Sequence, residues 1–283
     1  MRQLTTTNHS RDSAGLTYVY PVISRRSGGL SIGINLNPNN ACNWRCVYCQ
    51  VPNLVRGAAP DIDEDQLGDE LRGLLNDVLL GDFYERFQIP NEQRVIKDIA
   101  ISGNGEPTSC KTFDRIVELI GAVCGEFGLL GKIKLVLITN GSLMHKRAVQ
   151  QGLKRWSKLG GEVWFKMDSA TAEGILRINQ VNLDPEAVLR NLEISARLCP
   201  TWIQSCLFAF DDEPPSEAER HAYFDLLANL KQRDASIQGV LLYGLARPSM
   251  QTQAPRLSAL PEAFLDGIAE AIQALDIAVR VNR

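Results

Sequence analysis

The sequence predicts an α/β fold, a parallel sheet with helices on its outside. Three observations carry that prediction. Six short apolar runs of strand length alternate with amphipathic helical stretches. The runs are of the buried type found where helices cover a sheet. The polar motifs of the chain all fall just after these runs, at the carboxyl ends of strands, where α/β proteins collect their ligands. Pattern alone leaves open whether the sheet is open or closed into a barrel.

The first strand spans 30–36, where Leu30, Ile32, Ile34 and Leu36 alternate. A helix at 63–80 follows, with acids in its first turn, where the helix dipole favours them. Strand two is 95–102. The helix at 113–127 repeats apolar residues at Ile116, Val117, Ile120 and Val123. Strand three, 133–139, leads to a basic helix with Lys146, Arg147, Lys154, Arg155 and Lys158. Strand four is 162–167, and a helix at 185–198 opens on Pro185, suited to a first turn. Strand five (202–210), a helix (216–231), strand six (237–245), a last helix (261–275) and a short strand (277–281) complete the chain. The polar residues 1–28 read as an N-terminal extension, and 29–283 as one core domain with a C-terminal helix and strand.

Composition narrows the function. Apolar residues make up 45% of the 283, enough for a full core. Formal charge is 30 − 33 = −3, so no global field attracts polyanions. No charge-free apolar stretch reaches membrane-spanning length. Seven cysteines, an odd and sparse set, and a polar start without an export segment argue against a disulfide framework. A cytoplasmic protein in a reducing compartment is expected.

The cysteine loop C-N-W-R-C-V-Y-C is the most constraining motif. Cys42, Cys46 and Cys49 can hold three corners of one inorganic cluster, leaving the fourth without a ligand inside the motif. Structural zinc needs a fourth protein ligand, and His9, His145 and His221 all lie far from the loop in sequence. Cys110, Cys124, Cys199 and Cys206 form no C-x2-C pair; Cys110 follows the next motif closely.

That next motif is S-G-N-G-E-P-T after strand two. Gly103 and Gly105 permit close backbone approach, Asn104 and Glu106 are polar, and Pro107 fixes the turn. An ordinary glycine-rich turn would look the same. Thr139-Asn140-Gly141 after strand three offers polar contacts or a plain turn into a helix. After strand four, strand parity puts Lys166 and Asp168 on one face, while Asp168 or Ser169 can instead cap a helix starting near Thr171. After strand six, Tyr243 and Arg247 share a face by the same parity, and Arg247 suits either a carboxylate or phosphate, or a surface ion pair.

Together these residues resemble the radical S-adenosylmethionine (SAM) superfamily over roughly 30–250. The resemblance implies a partial (β/α)6 barrel of parallel strands with outer helices. It implies that Cys42, Cys46 and Cys49 hold a [4Fe–4S] cluster whose fourth iron is chelated by S-adenosyl-L-methionine. Reductive cleavage then gives methionine and a 5′-deoxyadenosyl radical that abstracts hydrogen from a substrate. Gly103, Asn104, Gly105, Glu106 and Pro107 would meet the methionine end, with Thr139 and Asn140 nearby. Tyr48 would lie near the adenine, and Asp168 or Ser169 at the ribose or carboxylate. Lys166, Arg247 and Tyr243 are the candidate catalytic residues, Lys166 as a charge partner or a Schiff-base former. An external electron donor of flavodoxin or ferredoxin type is expected.

S-G-N-G-E-P-T and I-T-N-G are also similar to the wyosine-type iron–sulfur oxidoreductases, which modify a guanine in tRNA using pyruvate. This chain departs from them. Among these 283 residues no cysteine precedes Cys42, no flavodoxin-like domain is expected, and the charge is slightly acidic. A small-molecule or modified-precursor substrate is therefore expected ahead of tRNA. An activase for a glycyl-radical enzyme, and a non-enzymatic zinc or iron–sulfur module, are the remaining alternatives.

Overall fold

The computed structural model describes residue 4 and residues 14–24, 28–233 and 236–282. Eight strands form one sheet: β1 (Val19–Ser24), β2 (Gly29–Ile34), β3 (Ile96–Ile101), β4 (Lys134–Thr139), β5 (Gly161–Lys166), β6 (Thr201–Cys206), β7 (Gly239–Tyr243) and β8 (Val279–Asn282). Their spatial order is their chain order. β1 and β2 are antiparallel, and every other neighbouring pair is parallel.

That order explains the shape. Strand crossovers are right-handed, so a sheet that winds in one direction carries all its helices on one face. A doubly wound sheet reverses its order and covers both faces. Here the sheet curls on its uncovered side into a partial barrel, with helices on the convex side.

The main helices are α1 (Glu64–Leu80), α2 (Phe113–Glu126), α3 (Arg147–Lys158), α4 (Ala172–Asn179), α5 (Pro185–Leu198), α6 (Glu217–Gln232) and α7 (Glu262–Ala274). Asp63, Asp184 and Ser216 cap α1, α5 and α6 by accepting from the first-turn amides of Gln66, Glu186 and Glu219. In α2 the apolar stripe Ile116, Val117, Ile120 and Val123 is fully buried. Each such side chain contributes about 1.5–3 kcal/mol relative to exposure. Along β5 burial alternates: Val163 and Phe165 pack outward in the helical core, while Glu162, Trp164 and Lys166 are half-buried on the concave face.

Three elements differ from expectation. Val19–Ser24, inside the segment read as an extension, is an edge strand of the sheet. Pro21 hides it in the sequence, since proline weakens a strand reading yet is tolerated at an edge. The start of this strand is fixed by Glu70 on α1, whose carboxylate accepts from the amides of Thr17, Tyr18 and Val19 at 3.0, 2.7 and 3.2 Å. The run expected over 202–210 breaks at Cys206, and Ala209–Phe210 pairs antiparallel with Leu257–Ser258. Finally, α4 is capped by Thr171, whose side chain accepts from the Gly174 amide, so neither Asp168 nor Ser169 is its cap.

Candidate functional site

The chain leaves β2 and forms a closed loop around the cysteines. Ala41–Cys42 pairs with Val55–Arg56, and the Val55 amide donates to Asn40 O at 2.9 Å and the Gly57 amide to Cys42 O at 3.1 Å. One side of the loop rests on the end of α4, where the Arg45 and Val47 amides donate to Asn179 O and Ile178 O at 3.1 and 2.8 Å. The other rests on residues 249–251. Ser249 Oγ donates to Val47 O at 2.6 Å, the Met250 amide to Cys49 O at 2.9 Å, and Gln251 Nε2 to Val51 O at 2.9 Å. The loop geometry is thus set by hydrogen bonds from its backbone to two distant parts of the chain.

All three loop cysteines are free thiols, two half-buried and Cys46 buried. N–H groups point at two of the sulfurs: the Trp44 amide at Cys42 Sγ (3.4 Å) and Asn179 Nδ2 at Cys46 Sγ (3.3 Å). Burial pushes the Cys42 thiol up to about 12, with Glu106 adding to it, and burial raises Cys46 as well. Metal binding there must displace protons, and the aimed N–H groups stabilise the resulting thiolates. Among the described residues no three His, Cys, Asp or Glu side chains converge as ligands of one ion. A cubane takes one thiolate per iron and needs no such convergence, so the donor set fits a [4Fe–4S] cluster.

The G-N-G-E-P turn after β3 packs directly on this loop. A Cβ on Gly103 would sit 2.3 Å from Asn35 Oδ1, and one on Gly105 would sit 2.0 Å from Ala41 O. These glycines are required by close approach. The Asn104 amide donates to Asn35 Oδ1 at 3.0 Å, and Asn104 Nδ2 to Asn40 Oδ1 at 2.6 Å. Pro107 starts a single helical turn, Pro107–Ser109.

Glu106 is 2% exposed and ties three segments together. Its Oε1 accepts from Thr108 N (3.0 Å), Thr108 Oγ1 (2.5 Å) and Thr139 Oγ1 (2.6 Å), and its Oε2 from Asn140 N (2.7 Å). Burial raises its pKa, and these donors offset part of that rise. Asn140 Nδ2 in turn donates to Asn43 Oδ1 at 2.8 Å, and Asn43 Nδ2 to Ser142 Oγ at 2.7 Å. The turns after β3 and β4 are therefore wired to the cysteine loop.

Tyr48 carries the loop into the barrel. Its OH donates to Asp168 Oδ2 at 2.5 Å and accepts from Lys166 Nζ at 3.2 Å. The Lys166 Nζ stands 5.0 Å from the Tyr48 ring centre, and Phe208 lies 5.6 Å away on a tilted ring. Asp168 also accepts from Asn179 Nδ2 (2.8 Å) and the Cys206 amide (3.0 Å), so its carboxylate is bound by the protein itself. Ser169 Oγ accepts from the Thr171 amide at 3.2 Å.

Tyr243 packs against the same apolar group as Trp44, Tyr48 and Phe208. Arg247 lies beyond the end of β7, so strand parity does not govern it; its guanidinium donates to Gln50 Oε1 at 3.1 Å at the rim. Cys110 is buried and contacts Thr112 Oγ1 at 3.6 Å.

The structure thus gathers the cysteines, Tyr48, residues 103–107, Thr139, Asn140, Lys166 and Asp168 at one end of the sheet. Sequence reasoning missed Asn35, Asn43, Asn179, Ser249 and Gln251. A signal existed for the first two: five asparagines crowd residues 35–43 just before and within the cysteine loop. Asn179 and residues 249–251 carry no local signal, because they reach the loop only through the fold.

Residues 36–224, more than half of the chain, match the Radical SAM superfamily, and the chain belongs to that family. The family's cofactors are a [4Fe–4S] cluster and S-adenosylmethionine. The chain is 28% identical over 180 residues to a UPF0026 protein of Helicobacter pylori, covering 62% of this chain and 51% of that protein. It thus spans about half the length of that relative. Two solved structures show the same fold. One is TYW1 with a lysine–pyruvate adduct bound (TM-score 0.54, 16% identity, 87% of this chain and 72% of that one). The other is a radical SAM methyltransferase from Sphaerobacter thermophilus (TM-score 0.60, 10% identity, 93% and 68%).

Proposed function

We propose that this radical SAM protein acts on a small molecule or modified precursor held inside the partial barrel. The observation that carries this reading is the Lys166–Tyr48–Asp168 chain, which brings a cation onto the concave face directly beside the cysteine loop. When bound, the cluster and SAM supply hydrogen-atom abstraction, with 5′-deoxyadenosine as by-product.

The chain's own residues do the positioning. Cys42, Cys46 and Cys49 would hold three irons. Gly103, Asn104 and Gly105 bring backbone up to the loop for the methionine end, and Glu106, Pro107, Thr139 and Asn140 hold that backbone in place. Tyr48, Asp168 and Ser169 would border the nucleoside side. Burial alone would lower the Lys166 pKa, but Tyr243, Asp168, Cys46 and Cys206 around it raise it above the ordinary lysine value. Lys166 donates to the Tyr48 hydroxyl beside the Asp168 carboxylate, and that placement supports a charge-partner role over a Schiff base. Tyr243, packed against the Tyr48 and Phe208 group, and Arg247, at the rim, are secondary candidates. An electron donor of flavodoxin or ferredoxin type and a reducing, cytoplasmic setting complete the proposal. No helix among the described residues is long and apolar enough to cross a membrane.

The test is anaerobic reconstitution followed by dithionite and SAM, read by chromatography. 5′-Deoxyadenosine is expected, and its absence with an intact cluster would contradict the reading. The likeness to TYW1 and the G-E-P-T and I-T-N-G turns favour a second reading, wyosine-type tRNA modification. Tight, salt-dependent tRNA binding would support it. At net charge −3 the expected result is no binding, even at low salt.

A further inference from the structure

Gln204 on β6 has a buried amide oxygen with no hydrogen-bond partner, in a residue 3% exposed. Buried polar atoms are nearly always paired, so an orphan of this kind asks for an explanation. Strand register shows where the side chain points. Lys166 pairs with Gln204, Gln204 with Leu241, and Leu241 with Arg280 across four neighbouring parallel strands. Paired residues on parallel strands project from the same face. That face is the concave one, because Ile203 and Phe165, one residue away on β6 and β5, lie in the helical core. Trp164 and Trp202, one layer deeper, form a second matched pair on the same face, and Arg280 stacks 4.1 Å from the Trp202 ring centre.

The concave face therefore carries an ordered pattern. Lys166 donates to Tyr48 with one of its three N–H bonds. Beside it, Gln204 offers an acceptor that the protein leaves unused. Two indole rings lie below, and a second cation flanks the row. A carboxylate satisfies the cationic side, and an N–H or O–H on the adjacent carbon satisfies Gln204.

We propose that Gln204 and Lys166 form a substrate subsite for an α-amino or α-hydroxy acid, the acid on Lys166 and the neighbouring donor on Gln204 Oε1. The subsite rests on the radical SAM reading given above and narrows its substrate class. The side-chain body of the acid lies against Trp164 and Trp202.

The test uses tryptophan-fluorescence and calorimetric titrations of the full chain. The probes are L-phenylalanine and L-3-phenyllactate, which carry acid and donor, and 3-phenylpropionate, which carries the acid alone. Wild type should bind one of the first two at least roughly tenfold tighter than the third. Gln204→Leu should erase that preference, while Lys166→Met weakens all three. Equal affinities in wild type, an unchanged preference in Gln204→Leu, or no saturable binding by any probe would overturn the proposal. A ligand-free readout guards against a purely structural role. Because the oxygen is unpaired in the free protein, Gln204→Leu should leave its melting temperature unchanged or raised; a drop would also overturn the proposal. Binding preference without 5′-deoxyadenosine formation would sink the enzymatic reading and keep the subsite, and the converse would do the reverse.

Discussion

Asn179 shows how much one side chain can hold. From a buried position at the end of α4 its amide reaches both Cys46 Sγ and Asp168 Oδ2. A hydrogen bond to a cluster thiolate favours the more negative, reduced state. Asn179→Ala should therefore shift the cluster potential to a more negative value, read by redox titration. It should also cost about 1–3 kcal/mol of stability, because Asp168 loses a buried donor. An unchanged potential would show that this bond plays no part in tuning the site.

Glu106 gives a pH prediction. Its pKa in the folded chain is raised above the ordinary 4.5 by burial. A raised carboxyl pKa contributes stability that is fully present below 4.5 and is lost as pH rises through the folded value. Urea unfolding of wild type and Glu106→Gln across that window should show the variant gaining ground on wild type as pH rises. A difference that stays flat with pH would contradict a raised value.

At the scale of elements, the turn after β3 and the helices make opposite predictions for one substitution. Gly105→Ala would place a methyl 2.0 Å from Ala41 O, and the two loops must part. Overpacking of this kind costs about 1–3 kcal/mol. Gly73 lies inside α1 with nothing within 4 Å of its missing Cβ, so Gly73→Ala should add about 0.5–1 kcal/mol. Thermal melts of the two variants should move in opposite directions. Elements with a clean period were legible in the sequence. The apolar stripe of α2 and the strand before the cysteines both follow from side-chain spacing. β1 was not legible, because Pro21 breaks its strand signal and its pairing is visible only beside β2. The break after Cys206 was missed for a similar reason: the apolar run continues to Phe210, and only the pairing with Leu257–Ser258 separates the two strands.

At the scale of the whole molecule, chain-order pairing of the strands curls the sheet and brings every strand-end turn to one rim. The cysteine spacing disclosed the type of chemistry, because three thiols within eight residues are a local fact. Lys166, Asp168 and the 103–107 turn were legible as strand-end polar residues. Their partners were not, since Asn179, Ser249 and Gln251 meet the loop from 133 or more positions away in the chain. The Gln204 orphan is likewise invisible without strand register.

The whole site turns on three thiolates holding a cluster whose fourth corner is open to SAM. Electron paramagnetic resonance of the dithionite-reduced, reconstituted protein tests it most directly, recorded with and without SAM. A reduced [4Fe–4S] signal is expected, with g-values that shift when SAM is added. The same signal in both samples would contradict it, since the fourth iron would then be closed to SAM.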